Sequence, residues 1–104
     1  MILTTTESIA GREVAETLGL VKGNTIQTRH IGSGIVAGLK SIVGGEIRSY
    51  VKAFTKARDE ATERMLTEAE ALGADGVICV RYSTSQIMAG GAEILAYGTA
   101  VKLK

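Results

Sequence analysis

The sequence predicts an α+β fold in which an antiparallel sheet, built from two β-hairpins, packs against one long and one short helix. Two observations predict it. Apolar residues recur at helical spacing along a charged stretch from Glu46 to Gly73, which indicates a long amphipathic helix. Runs of β-branched and aliphatic residues lie on both sides of that stretch and are interrupted by glycine-containing turns, as hairpin strands are. The 104 residues match a single domain, 1–104.

The composition excludes several classes of protein. The 12 lysines and arginines nearly balance the 11 aspartates and glutamates, so no charge excess directs the chain to nucleic acid or to an anionic membrane. The apolar runs are far shorter than the ~20 residues of a membrane-spanning helix. One cysteine cannot form an internal disulfide, and the first residues carry no signal-peptide pattern. We therefore expect a soluble, cytoplasmic protein.

The first hairpin is predicted between Arg12 and His30. Gly23-Asn24 stands between two apolar runs, and this dipeptide favours the positive φ angles of a two-residue turn. With the turn there, Val21 would face Ile26, and both sides of the hairpin would carry apolar residues. Because one helix layer covers only one side of a sheet, a partner subunit is expected to cover the other.

Two helices are predicted after this hairpin. Residues 31–43 carry aliphatic side chains at helical spacing, and Gly44-Gly45 is expected to end this short helix. The long helix runs from Glu46 to a glycine cap at Gly73. Oppositely charged residues four positions apart indicate a solvent-exposed face. The apolar stripe expected to face the sheet consists of Ile47, Tyr50, Val51, Phe54, Ala57, Ala61, Met65, Ala69 and Leu72.

A C-terminal hairpin is predicted from Val77 to Leu103, with its turn at residues 89–92. Alternation along the two strands predicts that Cys79 points away from the long helix, together with Val77 and Arg81. The side chains expected to cover the helix are Ile78, Val80, Tyr82, Leu95, Tyr97, Thr99, Val101 and Leu103.

Five segments spread over nearly the whole chain carry a family resemblance. They are TTT at 4–6, LGLVKG at 18–23, HIGSGIVAGLKSIVGGE at 30–46 followed by Tyr50, EALGADGV at 70–77, and AEILAYGTAV at 92–101. In this order they resemble the YbjQ-like family, small prokaryotic proteins that carry a heavy-metal-binding label. The most specific parts are IVGGE with Tyr50 and the AYGTAV ending.

The resemblance implies an α+β subunit and a homopentameric ring in which additional strand pairing joins neighbouring subunits. The chain's expected partner is therefore itself. The family label implies no set of metal ligands, because the family offers no defined ligand motif to match. Members of the family often have glycine or another residue at the position of Cys79, which argues against a general role for this thiol.

Cys79 and His30 are the candidate metal ligands. Soft-metal sites use several thiolate or imidazole groups, and one chain has one of each, so a site would need copies repeated around a ring axis. As a nucleophile, Cys79 would need a base that only the fold could bring close. The interpretation we favour is that Cys79 packs as a small buried strand residue, and that Met65 and Met88 fill the core or an interface.

Arg29, His30, Gly32 and Gly34 are the candidate ligand-binding residues. The two basic side chains follow a predicted strand, and the glycines precede a predicted helix whose N-terminus would attract an anion. The glycine spacing lacks the parallel crossover and acidic residue of a dinucleotide fold. A tight turn is therefore the simpler interpretation of Gly32 and Gly34.

Three classes of function remain open. The first is a homo-oligomeric ring that binds a metal or a small anionic ligand, and the second is an assembly protein that presents a ring surface to a protein partner. The third is an enzyme, which the sequence supports least, because it contains one histidine, one cysteine and no recognisable pair of catalytic acids. No catalytic residue and no cofactor is predicted.

Overall fold

The fold is seen in a computed structural model that describes residues 1–28 and 44–104. They form one four-stranded sheet, in the order β1-β3-β4-β2, with the helix α1 packed across one face. β2 and β3 run antiparallel to β4, whereas the two residues of β1 run parallel to β3. The α+β class is confirmed, but the sheet is mixed rather than wholly antiparallel. The elements are β1 (Ile2–Leu3), β2 (Val14–Thr28), α1 (Gly44–Ala71), β3 (Gly76–Met88) and β4 (Gly91–Leu103).

The predicted first hairpin is wrong. β2 is a continuous strand of 15 residues that passes through Gly23-Asn24 without turning. Its partner is β4, so Val21 pairs with Gly98 instead of folding back on its own strand. The glycine serves close packing, because a Cβ atom on Gly23 would overlap backbone atoms of Ala61 and Met65 in α1.

The predicted short helix lies outside the described residues. The long helix is confirmed, and it begins at Gly44, so Gly44-Gly45 belong to its first turn. It ends as predicted. Gly73 has a φ angle of +77°, and its N–H donates to the carbonyl of Glu70 at 2.9 Å. The N–H of Ala74 donates to the carbonyl of Ala69 at 3.1 Å, which completes a Schellman cap.

The core lies between α1 and the helix-facing side of the sheet. Four residues of the predicted stripe are fully buried, namely Ala57, Ala61, Met65 and Ala69. Phe54 is half-buried and packs against them. The stripe is narrower than predicted, since Val51 and Leu72 are exposed. Alanine at three of the four central positions keeps α1 close to the strands.

The C-terminal hairpin β3–β4 is confirmed, but the predicted helix-facing side of β4 is wrong. The small residues Ala96 and Ala100 and the larger Ile94 are buried under α1, whereas Tyr97 is exposed on the other side. Of the five β4 residues predicted to cover the helix, only Val101 is fully buried. The alanines at 96 and 100 leave space for the helix backbone to approach this part of β4, and the large ring of Tyr97 points to the other side.

Polar contacts along β2 attach it to α1. Thr25, which is buried, donates its hydroxyl to the carbonyl of Ala57 at 3.1 Å. Arg64 donates to the backbone carbonyl of Asn24 at 2.6 Å. The N–H of Lys22 donates to a carboxylate oxygen of Glu68 at 3.3 Å.

The predicted ion pair between Lys56 and Glu60 is present at 4.0 Å on the exposed surface of α1. A pair in this setting adds little stability. Within the described residues, no helix combines the length and the apolar character that crossing a bilayer requires.

Candidate functional site

The four candidate ligand-binding residues, Arg29, His30, Gly32 and Gly34, lie outside the described residues. In the sequence they directly follow the end of β2 at Thr28. Their assignment as an anion site remains a prediction.

Cys79 lies in a β-bulge of β3. Ile78 pairs with Thr99 and Arg81 pairs with Tyr97, so Cys79 and Val80 together stand opposite one residue of β4. Cys79 has a φ angle of +55°, and it is the only non-glycine residue with a positive φ among those described. This left-handed conformation favours glycine, since any Cβ atom crowds the following carbonyl.

The bulge changes which side chains of β3 face the helix. Both Val77 and Val80 belong to the core, although simple alternation placed Val77 on the other side. Gly98, which stands opposite the bulge, lies close to both, because an added Cβ there would lie 2.7 Å from a methyl group of Val77 and 3.3 Å from one of Val80. Cys79 itself is half-buried, so the prediction of a buried strand residue is corrected to one that is partly open to solvent.

The N-terminal segment holds the outer edge of the bulge. The N–H of Cys79 donates to the carbonyl of Thr6 and that of Val80 to the carbonyl of Thr4, both at 3.0 Å. Arg81 donates from one guanidinium nitrogen to the carbonyl of Thr5 at 2.8 Å and to that of Val80 at 2.9 Å. The groups that accept hydrogen bonds from the bulge and from Arg81 are therefore backbone carbonyls, and most of them belong to a segment of threonines.

These surroundings fit neither a metal site nor a nucleophile within one chain. No cluster of three or more histidine, cysteine, aspartate or glutamate residues occurs in the part of the chain that the structure describes. The hydroxyl of Thr6 donates to the carbonyl of Ser8 at 2.6 Å, so it is already engaged. A soft metal at Cys79 would need further thiolate or imidazole ligands, and the neighbouring donors are hard oxygens.

The two outer edges of the sheet are the second candidate site, because each contains a stretch that no described strand pairs with. Among the described residues, β1 and the following threonines cover the outer edge of β3 only as far as Val80, and from Arg81 onward β3 pairs with β4 alone. On the opposite side of the sheet β2 is the last strand, and the described side chains that hydrogen-bond to its outer edge are Arg64 and Glu68, near its middle. Such edges are templates for strand pairing with another chain.

Sequence reasoning missed both features. A positive φ at a cysteine has no local signal, because the residue type usually found there is glycine. The free edges follow from the strand order, which depends on β2 pairing with β4 across most of the chain length.

Comparison with known proteins agrees with the resemblance in the sequence. Residues 1–104 match the model of the YbjQ-like family, whose description is "Putative heavy-metal-binding". A UPF0145 protein of Halorubrum lacusprofundi is 61% identical over 104 residues, which cover all of both chains. A UPF0145 protein of Archaeoglobus fulgidus is 59% identical over 104 residues, which cover 100% of this chain and 96% of the relative.

The fold also matches a solved structure. A crystal structure of a Pediococcus pentosaceus protein of the DUF74 family superposes with a TM-score of 0.68 and 18% sequence identity, covering 100% of this chain and 98% of that one. At this identity the likeness concerns the fold alone. With the whole-length family match and relatives that share more than half of their residues, the chain belongs to the YbjQ-like family.

Proposed function

We propose that the protein is a cytoplasmic homo-oligomer, a ring of about five copies joined by strand pairing, which binds small anions at the joints between its subunits. The observation that carries the proposal is the pair of unpaired strand edges on opposite sides of one sheet. An edge that pairs with a different edge of the next copy makes a head-to-tail contact, and such contacts form a ring when the rotation between copies closes.

The shape of the single chain supports assembly. Its Cα radius of gyration is 17.2 Å, whereas a compact domain of this length has about 13 Å. Its principal dimensions are 55 × 23 × 16 Å, so the subunit is long and thin. A thin two-layer subunit leaves much surface in water, and association with further copies would reduce it.

The direction of the backbone groups identifies residues that would join the copies. The N–H of Lys22 points away from β4 to Glu68, so by alternation that of Ile26 also points outward from β2. The N–H of Val80 points outward from β3 to Thr4, and alternation gives the same direction to that of Thr84. These outward groups lie beyond the parts of each edge that the described residues of the same chain cover.

Sedimentation equilibrium of the wild type and two variants tests the ring. Ile26→Pro removes the outward N–H of an exposed residue, and proline is tolerated at an edge strand. We expect about five copies for the wild type and a folded monomer for this variant. Ile26→Thr keeps both the N–H and the β-branched shape, so it is the matched control and should assemble. A wild type that is monomeric at micromolar concentration would contradict the proposal.

The anion site would consist of Arg29, His30, Gly32 and Gly34. In support, these residues follow β2 directly in sequence, and the outer edge of β2 is one of the two edges proposed to join subunits. Each joint would then receive one fixed positive charge and one titratable ring from each copy. Anions rather than transition metals are the favoured ligands, because the described residues provide no soft-metal cluster.

Thermal unfolding with phosphate tests this site separately from the ring. Phosphate should raise the melting temperature of the wild type, and salt should weaken the effect. Arg29→Ala should abolish the response, while Arg12→Ala, which removes an exposed arginine near the other end of β2, should retain it. An equal response of Arg29→Ala and wild type would show that the segment is a turn without a binding role.

A further inference from the structure

A cleft of about 280 Å³ lies between the first half of α1 and the end of the sheet that carries the β3–β4 turn. Tyr50 and Phe54, one helical turn apart, form its helix side, and both are half-buried. The strands form the other side. Among the described residues that line it, none is charged.

The strand register builds the polar part of the cleft. Ala92 of β4 pairs with Gln27 of β2 on one side and with Gln86 of β3 on the other. The three residues therefore form one row across the sheet, on the face that α1 covers. The small methyl group of Ala92 leaves a floor between two side-chain amides. Thr84, the next residue of β3 on the same face, adds a hydroxyl group.

The two amides are available for a ligand. In the described part of the chain, the side chains of Gln27 and Gln86 have no hydrogen-bond partner. Each amide offers two N–H donors and one carbonyl acceptor in a plane, which suits a planar group that presents both donors and acceptors. The ring of Phe54 opposite them offers a flat apolar surface for stacking.

The lining also limits the ligand. A charged group placed in the cleft would lose water without gaining a counter-charge from the described lining residues, which disfavours ions. The volume is just below the range of pockets that hold drug-sized molecules, so the ligand would contain one or two rings.

We propose that this cleft binds a small, uncharged, planar ring compound, whose polar edge hydrogen-bonds with the amides of Gln27 and Gln86 while its face packs against Phe54. The proposal does not depend on the ring or on the anion site. It concerns residues of a single subunit. Arg29 and His30 are not among the residues that it uses, although Gln27 precedes Arg29 by two positions in the sequence.

The test is a titration of the ¹⁵N-labelled full chain with benzamide, followed by NMR. Benzamide carries a flat ring and a primary amide with one donor and one acceptor edge. We expect saturable shifts of the side-chain amide signals of Gln27 and Gln86 at millimolar concentrations. Benzoate has the same shape and a negative charge, and it should bind at least tenfold more weakly. No saturable shift with benzamide, or equal binding of benzoate, would overturn the proposal.

Two variants locate the site. Ala92→Leu fills the floor of the cleft and should abolish benzamide binding, whereas Ala15→Leu, on an exposed position of β2, is the control that should bind as the wild type does. If Ala92→Leu does not fold, Gln86→Leu serves instead, because this exposed side chain can change without disturbing the core. Gln86→Leu should weaken benzamide binding at least fivefold, and unchanged affinity would contradict the proposed contact.

Discussion

The two faces of the sheet differ more than any other two regions of the molecule. Val21 and Leu20 are neighbours on β2, yet Val21 is fully buried under α1 and Leu20 is 65% exposed. The same contrast exists on β4, where Ala96 is buried and Tyr97 is exposed. Among the described elements, α1 covers one face. On the other face, which we call the open face, the strands carry larger apolar residues mixed with polar ones, including Leu20, Ile26, Ile78, Leu95, Tyr97, Lys22 and Arg81.

The difference shows that size, and not only polarity, decides which residues α1 accepts. The covered face contains Gly23, Ala96 and Ala100, and the helix meets it with alanines. Backbones that approach so closely leave no space for added atoms, so the covered face should be sensitive to insertion of volume. The open face should tolerate both insertion and removal. Substitutions on the two faces test this contrast.

Gly23→Val should have the largest effect. Its side chain would enter the space held by the backbone of Ala61 and Met65, and backbone atoms cannot move aside as a flexible side chain can. We expect a loss of at least about 3 kcal/mol in the free energy of unfolding, measured by urea denaturation. Lys22→Val, the neighbouring position on the open face, is the control and should change stability by less than about 0.5 kcal/mol. Equal effects of the two would contradict the close approach of α1.

Met65→Ala should come next. Met65 is the largest of the fully buried side chains among the described residues, and its removal leaves a cavity that the alanines around it cannot fill. The expected loss is about 3 kcal/mol. Met88→Ala is the matched control, because Met88 is 54% exposed at the end of β3 and should lose less than about 1 kcal/mol. The sequence-based expectation that both methionines fill a core or an interface can then be tested separately at each of them.

The features that local sequence determines were predictable. The helix of residues 44–71, its Gly73 cap and the β3–β4 hairpin each depend on residues close together in the chain, and all three are present. Gly23-Asn24 was misinterpreted, because the same dipeptide suits a hairpin turn and a strand that a helix approaches closely. Only the pairing of β2 with β4, far away in sequence, distinguishes the two.

The candidate sites were less predictable for the same reason. Gln27 and Gln86 share no motif, and they come together only because both pair with Ala92. The conformation of Cys79 depends on a register shift between β3 and β4, which alternation along one strand cannot reveal. The prediction that Arg29 and His30 bind an anion depends only on their position in the sequence after β2, and the phosphate experiment tests it.

Two substitutions of Cys79 should change the free energy of unfolding in opposite directions, each by less than the core substitutions do. Its positive φ angle strains any residue with a Cβ atom, so Cys79→Gly should raise the free energy of unfolding by up to about 1 kcal/mol, less whatever packing the half-buried thiol supplies. Cys79→Val should lower it by about 1 kcal/mol, because a β-branched residue is disfavoured further in this conformation. Thermal unfolding of the two variants beside the wild type measures both. A more stable valine variant than glycine variant would show that the bulge does not hold this conformation in solution.

Leu20→Ala should have the smallest effect, although leucine is larger than its neighbour Val21. With 65% of Leu20 exposed, removing its side chain takes away little buried apolar surface, so the free energy of unfolding should change by less than about 0.5 kcal/mol. Val21→Ala, one residue further along β2, should cost about 2 kcal/mol, because it opens a cavity beneath α1.

Urea denaturation of both variants should be carried out in the Ile26→Pro background as well as in the wild type, since the former is expected to be monomeric. Leu20→Ala could lower the free energy of unfolding as much as Val21→Ala does in the wild type, but only slightly in the Ile26→Pro background. Another copy would then cover the open face, and the two faces would differ in exposure only in the isolated subunit. If the cost is equally large in both, the open face is covered within one chain, and the contrast itself is wrong.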